Sequence, residues 1–266
     1  MGTPVTPASL PESAVVTRLR AAGCVFAEDE ARLLMSAAST PAELSAMVDR
    51  RAAGEPLEYV LGWAEFCGLR IAVEPGVFVP RRRTEFLVRE AIAVAPPHPV
   101  IVDLCCGSGA VGAALAAALD GAEVHAADID PAAVRCARRN LAPAGGHVYL
   151  GDLFGALPAF LRGRVDVLAA NVPYVPTGEV GLLPGEARLH EPHVALDGGG
   201  DGLDVLRRVT AQAALWLAEG GTLLAEISDR QEQAACDTAR RGGLVPRVAR
   251  SAGLAATVLL ASRTTA

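Results

Sequence analysis

The chain of 266 residues contains no lysine, so all 24 of its basic residues are arginines, and 30 acidic residues outnumber them. A net charge of −6 leaves no general basic field of the kind that draws a protein to a phosphate backbone. We therefore predict no stable binding to nucleic acid, and duplex DNA is a disfavoured substrate. The run Arg81-Arg82-Arg83 is a local exception, and such a run is most often only a solvated surface.

Long apolar stretches are absent as well. No segment reaches the roughly 18 consecutive apolar residues of a membrane-spanning helix, and the sequence does not begin with a basic region followed by an apolar core. We therefore expect a soluble, cytoplasmic protein. Six cysteines lack the spacing of metal ligands, which predicts reduced thiols and no metal site: Cys24, Cys67, Cys105, Cys106, Cys136 and Cys236.

The N-terminal part has a clear helical periodicity. Apolar residues at helical spacing predict three helices, over 12–22, 28–38 and 42–52. A β-hairpin from Tyr59 to Val79, with Gly68 near its turn, should follow. We predict three parts in all, namely a helical domain that docks the substrate (1–55), a linking hairpin (56–79) and a larger domain that carries the chemistry (80–266).

A glycine-rich turn follows the first strongly apolar strand, at 100–104. Gly107, Gly109 and Gly112 form a G-x-G-x-x-G pattern that opens a helix, so the turn lets the backbone approach a nucleotide-containing ligand. Asp103, at the end of the strand, would face a pyrophosphate unfavourably. The same carboxylate suits the positive sulfonium and ammonium groups of S-adenosylmethionine, which this pattern favours over a dinucleotide.

Acidic residues also end the next two predicted strands. Asp128 follows the strand at 123–127 and stands where nucleotide-binding proteins hold ribose hydroxyls, whereas Asp130 precedes Pro131 and should cap a helix. The strand at 147–150 ends in Gly151-Asp152-Leu153-Phe154. Asp152 is a candidate acceptor for the adenine amino group and Phe154 a candidate stacking ring, although Leu153 and Phe154 fit a core equally well.

A fourth apolar strand, at 165–170, is followed by Asn171-Val172-Pro173-Tyr174. This segment resembles the Asn-Pro-Pro-Tyr loop that methylates planar nitrogens, whose delocalised lone pair must be aimed at the methyl donor. The Asn171 side-chain oxygen and the Val172 carbonyl are candidate acceptors for the two N–H groups, with Pro173 shaping the turn. Tyr174 would cover the substrate plane or face the sulfonium. An ordinary exit from a strand into a loop is the alternative interpretation.

Taken together, these motifs resemble the HemK/PrmC family of glutamine methyltransferases that modify peptide-chain release factors. The resemblance runs from about Ala27 to the end of the chain. It also rests on Gly54-Glu55-Pro56-Leu57-Glu58-Tyr59-Val60-Leu61-Gly62, Glu65-Phe66-Cys67-Gly68-Leu69, Val79-Pro80-Arg81, Thr84-Glu85 and Glu191-Pro192-His193-Val194-Ala195-Leu196-Asp197-Gly198-Gly199-Gly200-Asp201-Gly202-Leu203-Asp204.

The resemblance implies an α/β class I S-adenosylmethionine-dependent methyltransferase, with a doubly wound Rossmann-like sheet that ends in an antiparallel hairpin. It implies direct methyl transfer to a protein glutamine, in the Gly-Gly-Gln loop of a release factor. The candidate catalytic residues are Asn171, Val172, Pro173 and Tyr174. The candidate cofactor-binding residues are Asp103, Cys105, Gly107, Gly109, Asp128, Asp152, Leu153 and Asn171.

The chain departs from the family pattern at several positions, which predicts a diverged member. Arg82 and Arg83 replace the proline and glutamate of Pro-Arg-Pro-Glu-Thr-Glu, and Val172 replaces a proline. Cys105 replaces the first glycine of the donor loop and is acceptable there only at negative φ. Three alternatives therefore stay open: methylation of adenine or of a small-molecule amine, a donor-binding protein without catalysis, and, more distantly, an NAD-dependent oxidoreductase.

Overall fold

The computed structural model describes residues 10–264, and its first elements are three amphipathic helices, α1 (Glu12–Ala21), α2 (Ala27–Ala37) and α3 (Pro41–Ala52). The predicted helices are confirmed, with each boundary within one residue of its expected position. Val15, Leu19 and Leu34 are buried where the helices meet. Thr40 begins α3 by accepting a hydrogen bond from the Glu43 N–H at 3.1 Å.

The predicted hairpin is shorter than expected, and Tyr59 lies in a helix rather than a strand. Leu57, Val60 and Leu61 recur at helical spacing and pack against the core of the helical unit. This segment therefore forms a helix before the first strand of the hairpin begins. Gly62 ends the helix at φ 80°, and Gly68 lies in the hairpin turn at φ 75°. The elements are α4 (Leu57–Leu61), β1 (Trp63–Phe66) and β2 (Leu69–Ala72).

A seven-stranded mixed sheet forms the centre of the protein. Its strands are β3 (Val100–Leu104), β4 (Glu123–Asp128), β5 (His147–Leu150), β6 (Val165–Ala170), β7 (Leu217–Ile227), β8 (Val245–Ser251) and β9 (Ala256–Ser262). They lie in the order β5-β4-β3-β6-β7-β9-β8, and only β9 runs antiparallel to its neighbours β7 and β8. The predicted doubly wound sheet and its terminal antiparallel hairpin are confirmed.

Helices cover both faces of this sheet, which explains why its strands are apolar throughout. Along β3, Ile101 packs towards one layer of helices, whereas Val102 and Leu104 pack towards the other. The first layer contains α5 (Glu85–Val94), α6 (Ala110–Ala118) and α7 (Pro131–Leu141). The second contains α9 (Asp204–Trp216) and α10 (Glu232–Arg241).

The direction of chain winding reverses between β3 and β6, which are neighbours in the sheet although β4 and β5 lie between them in sequence. At such a point the loops after the strands separate and leave a crevice at the carboxyl edge of the sheet. The short helix α8 (Gly185–His190) lies in the long connection after β6. Within residues 10–264, no helix is long and apolar enough to cross a membrane.

Candidate functional site

A cavity of about 600 Å³ occupies this crevice. The ends of β3, β4 and β6 form its floor, and parts of 76–84 and 183–196 form its walls. Nearly all the predicted site residues line it together: Asp103, Cys105, Gly107, Asp128, Asp152, Leu153, Asn171, Val172, Pro173 and Tyr174. Gly109 lies outside the lining. A Cβ there would stand 3.0 Å from the Ala137 Cβ, so this glycine lets α6 and α7 approach each other.

The glycine loop differs from expectation at Cys105, whose φ is +54° rather than negative. The left-handed conformation costs a non-glycine residue roughly 1–2 kcal/mol. Neighbouring hydrogen bonds hold it in place, because the Cys106 N–H donates to the Ala127 carbonyl at 3.2 Å and the Gly107 N–H to the Asp128 carboxylate at 2.8 Å. The glycine-like geometry of the loop is therefore kept without the first glycine.

Asp128 organises the loop beside it. One carboxylate oxygen accepts the Gly107 N–H, and the other accepts the Asp130 N–H at 2.9 Å. Each oxygen keeps a further lone pair for a ligand in the cavity. Burial raises the pKa of this carboxyl, against the opposing effect of the backbone donors. Asp130 caps α7, as predicted, by accepting the Ala132 N–H at 2.8 Å.

Asp103 is a carboxylate with only 1% of its surface exposed, at the floor of the cavity. The Gly112 N–H donates to it at 3.0 Å, and a Cβ on Gly112 would come within 3.3 Å of the same oxygen. Desolvation raises the pKa of Asp103 to about 7, partly offset by the Gly112 N–H and reinforced by the charge of Asp128. A cation in the cavity would favour the ionised form.

The segment after β5 divides between the site and the core. Asp152 pairs with Arg208 at the rim, and Leu153 reaches the cavity wall with φ +47°. Phe154 is buried and stacks on Trp216 with 5.3 Å between ring centres. The interpretation of Phe154 as an adenine-stacking ring is wrong, because its ring packs into the core instead of lining the cavity.

Asn171 presents an unsatisfied acceptor to the cavity. Its Oδ1 atom is buried and accepts no hydrogen bond, the only such side-chain nitrogen or oxygen among residues 10–264. A buried acceptor without a partner costs roughly 1–3 kcal/mol, so its presence in a cavity points to a ligand that supplies the donor. Val172 follows with 2% exposure and packs into the core, which fixes the loop from below.

Tyr174 is held by a network that sequence reasoning missed. Its hydroxyl donates to a carboxylate oxygen of Glu226 at 2.7 Å, and the Thr84 hydroxyl donates to the other oxygen at 2.6 Å. Arg83 Nε lies 2.7 Å from the oxygen that Tyr174 contacts, and its guanidinium is 5.4 Å from the centre of the Tyr174 ring. Burial, followed by the charge of Glu226, raises the pKa of Tyr174.

A glycine-rich segment, 198–202, supports the same loop from behind. The Gln231 side-chain amide donates to the carbonyls of Tyr174 and Asp201 at 2.8 and 3.0 Å. Gly202, at φ +78°, leaves room for this bridge, since a Cβ would stand 2.3 Å from the Tyr174 oxygen. Gln231 also completes a capping box with Ser228, whose N–H donates to the Gln231 side-chain oxygen at 3.0 Å, but only the fold brings it to the site.

Gly202→Ala is therefore expected to destabilise the protein by more than the roughly 1–2 kcal/mol that positive φ alone costs. The new Cβ would also displace the Tyr174 carbonyl or the Gln231 amide. Thermal unfolding followed by circular dichroism measures the loss. Gly200→Ala is the matched control, because its Cβ would meet open space at an ordinary φ. Equal melting temperatures for the two variants would contradict the assigned crowding at Gly202.

The segment 176–193, here called the lid, contributes Leu183, Pro184 and Ala187 to the wall of the cavity. Glu191, with 7% exposure, accepts hydrogen bonds from Arg81 at 2.6 Å and from the Val79 N–H at 3.2 Å. These bonds tie the lid to the segment before α5. Within the described residues, no group of three His, Cys, Asp or Glu side chains is placed to hold a metal ion.

A doubly wound sheet, a glycine loop between β3 and α6 and acidic side chains after β3 and β4 together define a class I methyltransferase. The family profile named Methyltransferase small domain matches residues 68–208. A solved methyltransferase from Pyrococcus furiosus has the same fold, with a TM-score of 0.56 at 17% identity over 74% of this chain and 90% of that one.

Sequence relatives are more specific. The chain is 41% identical over 198 residues to the release factor glutamine methyltransferase of Geobacter sulfurreducens, a match that covers 73% of this chain and 69% of that protein. It is 39% identical over 191 residues to the 4-amino-L-phenylalanine/4-methylamino-L-phenylalanine methyltransferase of Streptomyces pristinaespiralis, covering 69% and 65% respectively. The chain belongs to the release factor glutamine methyltransferase family.

Proposed function

We propose that this chain methylates the side-chain amide nitrogen of a protein glutamine, in the Gly-Gly-Gln loop of a peptide-chain release factor, with S-adenosylmethionine as methyl donor. The observation that carries the proposal is the buried, unpaired Oδ1 atom of Asn171 at the cavity. An amide N–H is a donor that this acceptor lacks. The family relationship supports glutamine as the source of that amide.

The donor's site is assigned to the floor of the cavity, and the residues there fit the donor's chemistry. Asp103 offers a buried carboxylate to the cationic amino acid end, and Asp128 offers two oxygens, each with a free lone pair, to the ribose. Asp152 and Leu153 are assigned to the adenine. When bound, S-adenosylmethionine supplies a methyl group activated by a positively charged sulfur.

At the acceptor nitrogen, the loop's task is orientation rather than proton abstraction. Asn171 Oδ1 accepts one amide N–H and the Val172 carbonyl accepts the other, so the nitrogen lone pair is directed at the donor. Tyr174 covers the plane of the amide. The nitrogen becomes acidic as it gains the methyl group and then loses a proton to water, so this step requires no strongly basic side chain.

We assign docking of the acceptor protein to the helical part of the proposed domain 1–55, with 56–79 as connector and 80–266 as catalytic domain. A contact between the helical unit and the lid supports this assignment. Arg51 lies in α3 and is buried against α2. It pairs with Glu30 of α2 at 2.7 Å and also with Glu186 of α8 at 2.7 Å.

We also propose a cytoplasmic location without stable nucleic-acid binding, in line with the six unpaired cysteines and the net charge of −6.

A second candidate function is methylation of a small aromatic amine. It is favoured by the relative whose name gives 4-amino-L-phenylalanine as its substrate. Arg83 pairs with Glu226 through Nε but also lines the cavity wall, where its positive charge favours the carboxylate of a free amino acid.

The deciding experiment offers labelled donor to purified release factor, to the same factor with its loop glutamine changed to alanine, and to 4-amino-L-phenylalanine. Label is expected only in the unaltered factor. Transfer to the alanine version would place the methyl group elsewhere on the protein. Transfer to the free amine alone would replace the glutamine assignment with the second candidate function.

Donor binding is expected to depend on pH through Asp103. Because its pKa is about 7, the ionised fraction of this carboxyl, which is the form that attracts a cation, grows as the pH rises through 7. Affinity should therefore rise with pH through 7 and level off above, falling up to about tenfold per pH unit on the acid side. Calorimetry with S-adenosylhomocysteine between pH 5.5 and 8.5 measures this. Asp103→Asn should bind weakly at every pH, and an unchanged pH profile in that variant would exclude Asp103 as the cause.

A further inference from the structure

Arg83 stands at a place where the chain departs from its family, and the structure gives it a defined set of contacts. It lies in the short 3-10 turn Arg82–Thr84 that leads into α5, and its side chain lines the main cavity. Arg82, one residue earlier, lines a separate groove between the hairpin, α5 and α6. The two neighbouring arginines are therefore in different environments.

Glu226, the partner of Arg83, is a charged side chain with 2% exposure. It accepts hydrogen bonds from the hydroxyls of Tyr174 and Thr84, which are neutral donors. Arg83 supplies its one ion pair within residues 10–264, at 2.7 Å. Burial of a carboxylate is costly unless a charge of opposite sign is paired with it, and Arg83 supplies that charge to Glu226.

The same arrangement fixes Tyr174 from three directions. Glu226 holds its hydroxyl, the Arg83 guanidinium lies over its ring, and Gln231 binds its backbone carbonyl. Tyr174 and Asn171 are three residues apart and line the same cavity. Displacement of a reacting group by about 1 Å can lower a rate by about a hundredfold, so a fixed ring beside the acceptor nitrogen matters for transfer.

We infer that Arg83 is a positioning residue for methyl transfer, acting through Glu226 to hold Tyr174 against the acceptor. This inference rests on the proposed function of the cavity. In the family pattern this position carries glutamate, which would set a second carboxylate beside Glu226 if it took the same place. Val172 also removes a proline that would stiffen the loop. The contacts of Arg83 therefore help to order this loop, which lacks the restriction that a proline at position 172 would impose.

The test compares Arg83→Gln, Glu226→Gln and the double variant with Arg82→Gln, a matched control that removes a positive charge from the other groove. Single-turnover transfer should fall about tenfold or more in each of the first two variants, with donor affinity within about twofold of the parent. The double variant should lose no more than the worse single variant, because the two residues act as a unit. Arg82→Gln should match the parent, and Arg83→Lys should recover part of the rate.

A readout that needs neither donor nor acceptor separates this inference from the proposed function. The chain has three tyrosines, so 13C-labelled tyrosine gives few ring signals, and Tyr174→Phe identifies the relevant one. That signal should shift or broaden in Arg83→Gln and stay unchanged in Arg82→Gln. Should Arg83→Gln not fold, Arg83→Lys with its altered geometry gives the same comparison. An unchanged Tyr174 signal together with an unchanged rate, or additive losses in the double variant, would overturn the inference, whatever acceptor the enzyme uses.

Discussion

Asn171→Ala is expected to lower methyl transfer about a hundredfold or more while donor affinity stays within about twofold of the parent. Losing one preorganised polar contact at a reacting group commonly has an effect of this size. The reason here is that Asn171 Oδ1 is buried at the cavity with no partner in the protein, so its hydrogen-bonding capacity is reserved for the acceptor. Single-turnover kinetics and calorimetry with S-adenosylhomocysteine measure the two quantities separately.

Stability provides the control for this variant. Removal of a buried acceptor that has no partner takes away an unfavourable term, so Asn171→Ala should unfold at the same temperature as the parent or higher. If Asn171 served the packing of the protein instead, its alanine variant would unfold at a lower temperature than the parent. Loss of activity accompanied by an equal loss of donor affinity would refute the acceptor role, and a large fall in melting temperature would assign Asn171 to the scaffold.

Tyr174 allows a graded version of the same test. Tyr174→Phe removes the hydroxyl that donates to Glu226 but keeps the ring, whereas Tyr174→Ala removes both. Whether the ring covers the amide plane or faces the sulfonium of the donor, its contact contributes about 0.5–2 kcal/mol, so the alanine variant should be the slower one. Transfer rates measured side by side give the order, and equal rates would show that the ring itself does not act on the acceptor.

Local signals were enough to predict most of the fold. Helical spacing of apolar residues predicted the helices in 12–52, and continuous apolar runs predicted the strands at 100–104 and 165–170. The structure has the corresponding elements. Ligand-facing residues at strand ends were predictable for a related reason. Parallel strands place their carboxyl ends at one edge, so a residue after any of them has a high chance of reaching the crevice.

Errors arose where a residue's role depends on distant partners. The hairpin predicted from Tyr59 to Val79 places Tyr59 in a strand, but packing against the core of the helical unit selects the helical form of 57–61. The sequence around Phe154 fits either a ring that stacks on the ligand or a core residue, and stacking on Trp216, far along the chain, places it in the core. Cys105 takes a positive φ because hydrogen bonds from its neighbours to the end of β4 outweigh its local preference.

The network around Tyr174 could not be read from sequence at all. Thr84, Glu226 and Gln231 are separated from Tyr174 by more than fifty residues each, and nothing in their local patterns links them. Thr84 was visible beside Glu85 as part of a family motif, but its contact with Glu226 was not. The pairing of β6 with β7 in the sheet brings Glu226, near the end of β7, to the same edge as the loop that follows β6 and carries Tyr174.

Asp128→Ala is expected to weaken S-adenosylhomocysteine binding by roughly 1.5–3 kcal/mol, the range for a hydrogen bond to a charged group. Two contributions act in the same direction. The ribose hydroxyls would lose the carboxylate assigned to them, and the Gly107 N–H and the Asp130 N–H would lose their acceptor, which loosens the glycine loop. Asp128→Asn keeps one acceptor oxygen and should lie between alanine and the parent.

Asp130→Asn separates this effect from a general loss of negative charge at the end of β4. Asparagine is also a good helix cap, so the side-chain bond to the Ala132 N–H and the start of α7 should persist in that variant. Its donor affinity should stay close to that of the parent, although the change removes a carboxylate only two residues from Asp128. If Asp130→Asn weakened binding as much as Asp128→Ala, the effect would come from the field of the two carboxylates, and the ribose contact would have to be assigned elsewhere in the cavity.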